Sequence, residues 1–445
     1  MAKVKTPSVA GMFYPADKEE LKNLIESFKT KETSTPTRAV IVPHAGLIYS
    51  GKLAYKGIFQ LSKEIKTIFI IAPAHRQYFD GIATISHDIY QTPLGEIEIN
   101  RDIIAELEKE NLIQVYDEGF ADEHSAEIQI PLIQSIFENV KIVPLLVCDA
   151  DYKGVSKIIE KYYPDKNNGF VISSDLSHFL DDNTARKIDE MTASIIENGN
   201  YSNLRSENAC GYIGIQGLSD FASKNNFSLI RLGMYNSSTT TKDKARVVGY
   251  GSWLLYEGAK NQYIKENYSN TLIELSRAVL KTAFSPENIR LSYPQVLNEE
   301  GACFVTLEKQ GALRGCIGSI IAHRTLLKDL IENTKNAAFS DPRFTPLKEE
   351  ELNEIDISIS ILSAPKEIDF ENEEDLLEKI VPFKDGIIIR DGNYQAVYLP
   401  SVWEQIPEKD IFLNSLKMKA GLSPDYFSDN FKAYRFNTAY IKEKN

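Results

Sequence analysis

Three histidines in this chain follow apolar, strand-like runs at similar short distances. His44 closes "RAVIVPHAG", His75 closes "TIFIIAPAH", and His178 follows "GFVISSDLSH". A fourth, His124, lies in "ADEHSAEIQIP", just ahead of an amphipathic stretch. The chain has only 6 histidines, so this placement is uneven. His87 in "ISHDIY" and His323 in "IAHRT" share no such pattern and read as incidental. Imidazole suits Fe, Zn and Cu, and two histidines with one anionic donor leave positions open for a substrate. The candidates for that donor are Glu123, Asp175 and Cys210. Cys210 precedes an apolar, helix-like segment in "NACGYIGIQGL". A cysteine at a helix N-terminus is more readily ionised and binds metal better.

Such residues need elements that bring them together. Strand candidates are 38–43, 67–73, 140–147, 169–174, 228–235 and 247–256, with amphipathic segments such as 126–140 between several of them. Short apolar strands alternating with helices predict an α/β domain with a covered sheet. In open α/β sheets, ligands collect beyond the carboxyl ends of the strands, where His44, His75 and His178 would lie. After Tyr256 the texture changes. Residues 257–270 read as a polar linker into a helix from Thr271 to about Thr282. Strand candidates then fall at 302–308, 355–362 and 385–400, the last with an Asp391-Gly392 turn, which predicts an α+β second domain.

Composition narrows the function classes. At 445 residues the chain is too long for one ordinary core. The net charge of −13, with no basic stripe, excludes a protein whose main task is gripping nucleic acid. No apolar run is long enough to span a bilayer and the N-terminus has no signal pattern, so the expected compartment is the cytoplasm. Four cysteines without a CxxC pair make no disulfide framework.

Seven ordered stretches carry a family resemblance: "KTPSVAGMFYP", "VPHAGLIYSG", "APAHRQYFDGIA", "TPLGEIEIN", "EHSAEIQIPLIQ", "SSDLSHF" and "NACGYIGI". Together they resemble the Memo family, whose fold is that of the LigB-type class III extradiol dioxygenases. The resemblance covers residues 1–262. It implies that His44, His75 and Cys210 ligate a divalent metal, Fe²⁺ first and Cu or Zn next. It also implies that His178 is an acid/base group, with Asp175 orienting its imidazole and His124 a further polar or acid/base group in the wall. The implied activity is that of an oxidoreductase-like enzyme on a small substrate, with aromatic compounds among the candidates. The alternatives are a peptide- or partner-binding scaffold and a metal-handling protein.

Residues 268–445 resemble the AMME-syndrome candidate-region family through "LRGCIGS", "NAAFSDPRFTPL" and "AVYLPSVWEQIP". The two modules together with a radical-SAM enzyme form the AmmeMemoRadiSam association, which implies such an enzyme as a partner. In "LRGCIG", Arg314 is read as an anion binder, Cys316 as a nucleophile or a packed thiol, and Gly315 and Gly318 as a tight turn. Asp341 and Arg343 of "SDPRF" are read as an ion pair or as part of the same pocket.

Overall fold

The computed structural model describes residues 2–29, 34–285 and 293–443. The chain divides into two compact units, Met1–Gly258 and Ala259–Asn445.

The first unit is built on a mixed sheet of nine strands: β1 (Ala39–Val42), β2 (Thr67–Pro73), β3 (Ile82–Thr84), β4 (Gln114–Val115), β5 (Lys141–Val147), β6 (Asn168–Ser173), β7 (His178–Leu180), β8 (Ser228–Asn236) and β9 (Val247–Tyr256). Their spatial order is β7-β9-β1-β6-β2-β5-β3-β4, with β8 also paired to β9. The central four, β1, β6, β2 and β5, run parallel. Every residue of β1, β2 and β6 is buried, as expected where helices cover both faces. That is why these strands read as continuous apolar runs rather than as alternating ones. β9 pairs antiparallel to β1, and β3 pairs antiparallel to β5, which makes the sheet mixed.

The parallel strands share one carboxyl edge, and the loops leaving it carry the candidate residues. His44 lies two residues beyond β1 and His75 two beyond β2, while Asp175 lies two beyond β6. The chain turns back into helix Leu47–Phe59 directly after His44, through Gly46. An outlying three-stranded sheet (Val4–Lys5, Ile89–Thr92, Gly95–Glu98) ties the N-terminal segment to this unit.

In the second unit, 260–270 is not a linker: one helix runs from Lys260 to Thr282. Its buried residues, among them Tyr263, Ile264, Leu272 and Leu275, sit on one face beneath a polar surface, which explains the polar reading. Two four-stranded antiparallel sheets follow. The hairpin Gly386–Asp391/Tyr394–Tyr398 turns at Gly392, which adopts a φ of 56°. The sequence "LRGCIG" is not a turn but the strand Ala312–Gly318. Its glycines serve close packing instead. A Cβ at Gly315 would lie 2.0 Å from the Ala337 carbonyl oxygen, and one at Gly318 would lie 2.2 Å from the Phe304 ring.

Candidate metal centre

His44 is almost wholly buried, with 1% of its surface exposed. Its tautomer follows from the bonds around Ser173. The Ser173 hydroxyl spends its one hydrogen on the Ser125 carbonyl (2.7 Å). Gln129 Nε2 donates both to the Pro43 carbonyl and to Ser173 Oγ (2.9 Å each), and the Pro43 oxygen, a pure acceptor, fixes the amide's orientation. The remaining Ser173 lone pair therefore takes Nδ1–H of His44 at 3.0 Å. Nε2 is left unprotonated, its lone pair met by the Cys210 thiol at 3.2 Å. Burial, then the neighbouring His75 and His124, push the His44 pKa well below its ordinary value, so the ring stays neutral.

His75 and His124 are set by one carboxylate. Glu123, 2% exposed, accepts the backbone N–H groups of His75, His124 and Ser125. Its Oε1 also takes His75 Nδ1 at 3.0 Å and lies 3.2 Å from His124 Nδ1. The His124 contact lacks hydrogen-bond geometry, and His124 Nδ1 is buried without another partner. Burial alone would raise the Glu123 carboxyl. The close His124 and His75 rings and the backbone N–H groups outweigh it and hold the carboxyl far below the usual carboxylate range. A buried carboxylate on Nδ1 is the usual outer support of a metal-binding imidazole, because it turns Nε2 toward the ion. Glu123 is thus a support and not the anionic ligand.

The three rings converge. Centroid separations are 5.2 Å for His44–His75, 5.4 Å for His44–His124 and 4.9 Å for His75–His124. One nitrogen from each lies within 4.8 Å of the others, the arrangement of a group able to hold a metal ion. His124, expected in the wall, is therefore part of the cluster. Cys210, expected as a ligand, is not one of these three, but its Sγ lies 3.2 Å from His44 Nε2. Bonds of about 2.1 Å to nitrogen and about 2.3 Å to sulfur put two ligands of one tetrahedral ion roughly 3.6 Å apart, close to that spacing. A neutral His44 with its Nε2 lone pair aimed at the cluster, two further imidazoles and an adjacent thiol fit a divalent metal.

The Cys210 thiol is not pre-ionised. It precedes helix Tyr212–Asn225 as expected, but burial, with the nearby Asp175 charge, pushes its pKa up to about 12. Its loop lies against β6 because Gly211 allows it: a Cβ there would meet the Ser173 carbonyl oxygen at 2.6 Å. Asp175 does not orient His178. Its Oδ1 instead accepts the His44 backbone N–H at 2.8 Å, and burial raises its carboxyl to about 7.

His178 begins the edge strand β7 and stands outside the cluster of three, yet close enough for His75 and His124 to act on its charge. Burial lowers its pKa, with a hydrogen bond to the Leu176 backbone opposing. The next residue, Phe179, adopts a left-handed φ of 60°, and the β7–β9 register shifts there. Such bulges re-aim side chains at functional sites. The segment before it is clamped: Leu176 N–H donates to the Gly249 carbonyl, and Gly249 N–H to that of Ser177.

Two contributors had no signal in the spacing of the sequence. Phe13 stacks on His124 at 4.3 Å. Glu127, fully buried, takes the Ser8 and Val9 N–H groups and the Tyr14 and Tyr90 hydroxyls, which fastens residues 8–14 beside the site. Residues 8–14 thus form one wall.

Residues 5–254 match the family described as "Memo-like protein", more than half of the chain. The chain belongs to the Memo family. Residues 273–441 match AMMECR1, so a Memo domain and an AMMECR1 domain share one chain. A MEMO1 family protein of Thermoplasma volcanium is 34% identical over 262 residues, covering 56% of this chain and 97% of that protein. One from Aquifex aeolicus is 31% identical over the same length and coverage. A protein of Methanothermobacter thermautotrophicus is 36% identical over 187 residues, covering 40% of this chain and 96% of its own. A crystal structure of an uncharacterized Pyrococcus horikoshii protein covers 40% of this chain and 92% of its own at 32% identity, with a TM-score of 0.37. The Memo fold is LigB-like, in keeping with the mixed sheet and flanking helices of the first unit. Among the described residues, no helix is long and apolar enough to cross a membrane.

In the AMMECR1 domain, Arg314 is committed. It holds Glu351 with two bonds of 3.0 Å and donates to the Thr345 carbonyl at 2.9 Å, so it does not serve as a free anion binder. Asp341 and Arg343 form an ion pair at 2.7 Å. Asp341 also accepts the Cys316 N–H at 2.9 Å, so Cys316, Asp341 and Arg343 lie together while Arg314 is engaged elsewhere. His87, 3.5 Å from Asp117, and exposed His323 lie outside both groups.

Proposed function

We infer that the Memo domain is a metal-dependent, oxidoreductase-like enzyme acting on a small aromatic substrate, with Fe²⁺ as its metal. The observation that carries this reading is the forced Nδ1–H tautomer of His44, whose Nε2 lone pair faces Cys210 Sγ at 3.2 Å within a cluster of imidazoles. His44, His75 and Cys210 would hold the ion. When bound, it supplies a Lewis acid that polarises a substrate oxygen and a redox-active centre.

The protein's own groups do the rest. Glu123 keeps His75 and His124 aimed, and Asp175 holds the backbone of His44 in place. Cys210 gives up its proton on metal binding, so uptake releases protons. His178, neutral through burial, accepts a substrate proton and returns it. His124, braced on Phe13, is the second polar group facing the substrate. The AMMECR1 domain acts on the same process by binding substrate or partner, and a radical-SAM enzyme is the proposed partner.

The test is turnover by anaerobically Fe²⁺-loaded protein on a panel of small phenols and catechols. The His178→Asn variant should keep its metal and lose turnover by about 10²–10⁴-fold. Loaded protein that consumes none of the panel yet binds peptides would favour the scaffold reading. Fast metal exchange without turnover would favour metal handling.

A further inference from the structure

One buried carboxyl of the Memo domain has no part in the metal cluster or in the proton chemistry assigned above. Asp189 lies in the middle of helix Asp182–Glu197, with 2% of its surface exposed. A carboxyl this deep is costly unless its oxygens are bonded. Its Oδ1 accepts the Ser177 backbone N–H at 3.0 Å. Arg186, on the same helix, gives its Nε to Asp182 instead, at 3.1 Å. The Asp189 carboxyl rests against β9, where Gly249 makes room for it. A Cβ at Gly249 would fall 2.2 Å from Oδ2 and 2.6 Å from Cγ. Gly249 is also the residue whose backbone clamps Leu176 and Ser177, so helix, strand and loop meet at this point.

The bond to Ser177 bears directly on His178. The Ser177 N–H and the Leu176 carbonyl belong to one peptide unit, and the His178 ring bonds that carbonyl. The unit is planar and trans, so its N–H and C=O point in opposite directions. Asp189 therefore holds one end of the peptide while His178 uses the other. An acceptor on the N–H polarises the unit and strengthens the bond that its carbonyl accepts. The bond made by one imidazole nitrogen decides which nitrogen is left for proton transfer. Phe179, the next residue, keeps its left-handed φ of 60° while 62% exposed. A bulky residue keeps such a conformation only where the surrounding backbone is fixed.

We propose that Asp189 is a positioning residue for His178, acting through the single Leu176–Ser177 peptide unit. The carboxyl fixes the peptide, and the peptide carbonyl fixes the imidazole. The inference deepens the reading of His178 as the acid/base group and rests on it for its effect on turnover. The other charged groups that bear on the pair are Glu190 and Arg186 at Asp189, and His75 and His124 at His178.

The test follows hydrogen exchange at the imidazole C2 of each histidine by peptide mass spectrometry across pH, in metal-free full-length protein. Asp189→Ala, and the similarly shaped Asp189→Leu, remove the acceptor. Each should lower the His178 midpoint by about one pH unit, the worth of the ring bond that is lost. Asp189→Asn keeps an acceptor oxygen and should restore the midpoint to its wild-type value, while His87 and His323 stay unmoved throughout. An unmoved His178 midpoint in folded Asp189→Ala or Asp189→Leu would overturn the proposal. So would a shift shared by His87, or an equal shift in Asp189→Asn, which would mark an effect of charge alone. If neither the alanine nor the leucine variant folds, Asp189→Asn decides: a wild-type midpoint upholds the proposal and a lowered one overturns it. Turnover is not the readout, so a His178→Asn variant that keeps its turnover would sink the acid/base reading and leave this result standing.

Discussion

Replacing Glu123 by glutamine tests how the site is organised without removing any ligand. The carboxylate accepts three backbone N–H groups and His75 Nδ1 while only 2% exposed. A carboxamide keeps one acceptor oxygen. Its better orientation puts that oxygen at Oε1, where His75 Nδ1 and the His124 and Ser125 N–H groups converge. The amide NH₂ then faces the His75 backbone N–H, donor against donor. One charge-assisted bond is lost and one buried donor is left unpaired, which costs about 1–3 kcal/mol of folding stability. Both imidazoles also lose the negative charge that aims them and raises their basicity, which lowers metal affinity by about 10–100-fold. Anaerobic calorimetric titration with Fe²⁺ reads the affinity, and urea unfolding reads the stability. Affinity within about twofold of wild type, in a variant that has lost stability, would refute the claim that Glu123 organises the two histidines.

Two further outcomes follow from buried charges. In metal-free protein Asp175 titrates near 7 rather than at its ordinary 3.8, so the fold retains a proton that the unfolded chain has already released. Stability therefore falls as pH rises through that window, by up to about 4 kcal/mol for the full shift, and Asp175→Asn should abolish the fall in urea unfolding measured from pH 4 to pH 8. Arg314→Ala, which leaves the partly buried Glu351 with only Lys309 and the Lys348 N–H as partners, should cost about 1–2 kcal/mol in urea unfolding while Fe²⁺ binding stays at its wild-type value.

The parts of this protein legible in its sequence are those governed by short-range pattern. The apolar runs at 67–73 and 247–256 became strands with the same limits because a fully covered sheet leaves no alternation to misread. The positions of His44 and His75 beyond strand ends placed them in the candidate metal cluster, since a parallel sheet delivers its carboxyl ends to one edge. What was not legible depends on partners distant in sequence. Asp175 pairs with the backbone of His44 rather than with nearby His178, and Glu123 supports the site rather than ligating. Gly315 and Gly318 read as a turn but exist because Ala337 and Phe304 press on a strand. Cys210 sits at a helix start as expected, but burial reverses the expected effect on its thiol.

The most direct test of the central claim is the Fe²⁺ stoichiometry of the anaerobically reconstituted full-length protein, measured with its His44→Ala, His75→Ala and Cys210→Ser variants and joined to X-ray absorption at the iron edge. The account predicts about one tightly held ion per chain with one sulfur among its nearest neighbours, lost in both histidine variants and weakened without sulfur in Cys210→Ser. Undiminished binding in the histidine variants, or a wild-type shell of nitrogen and oxygen alone, would contradict it.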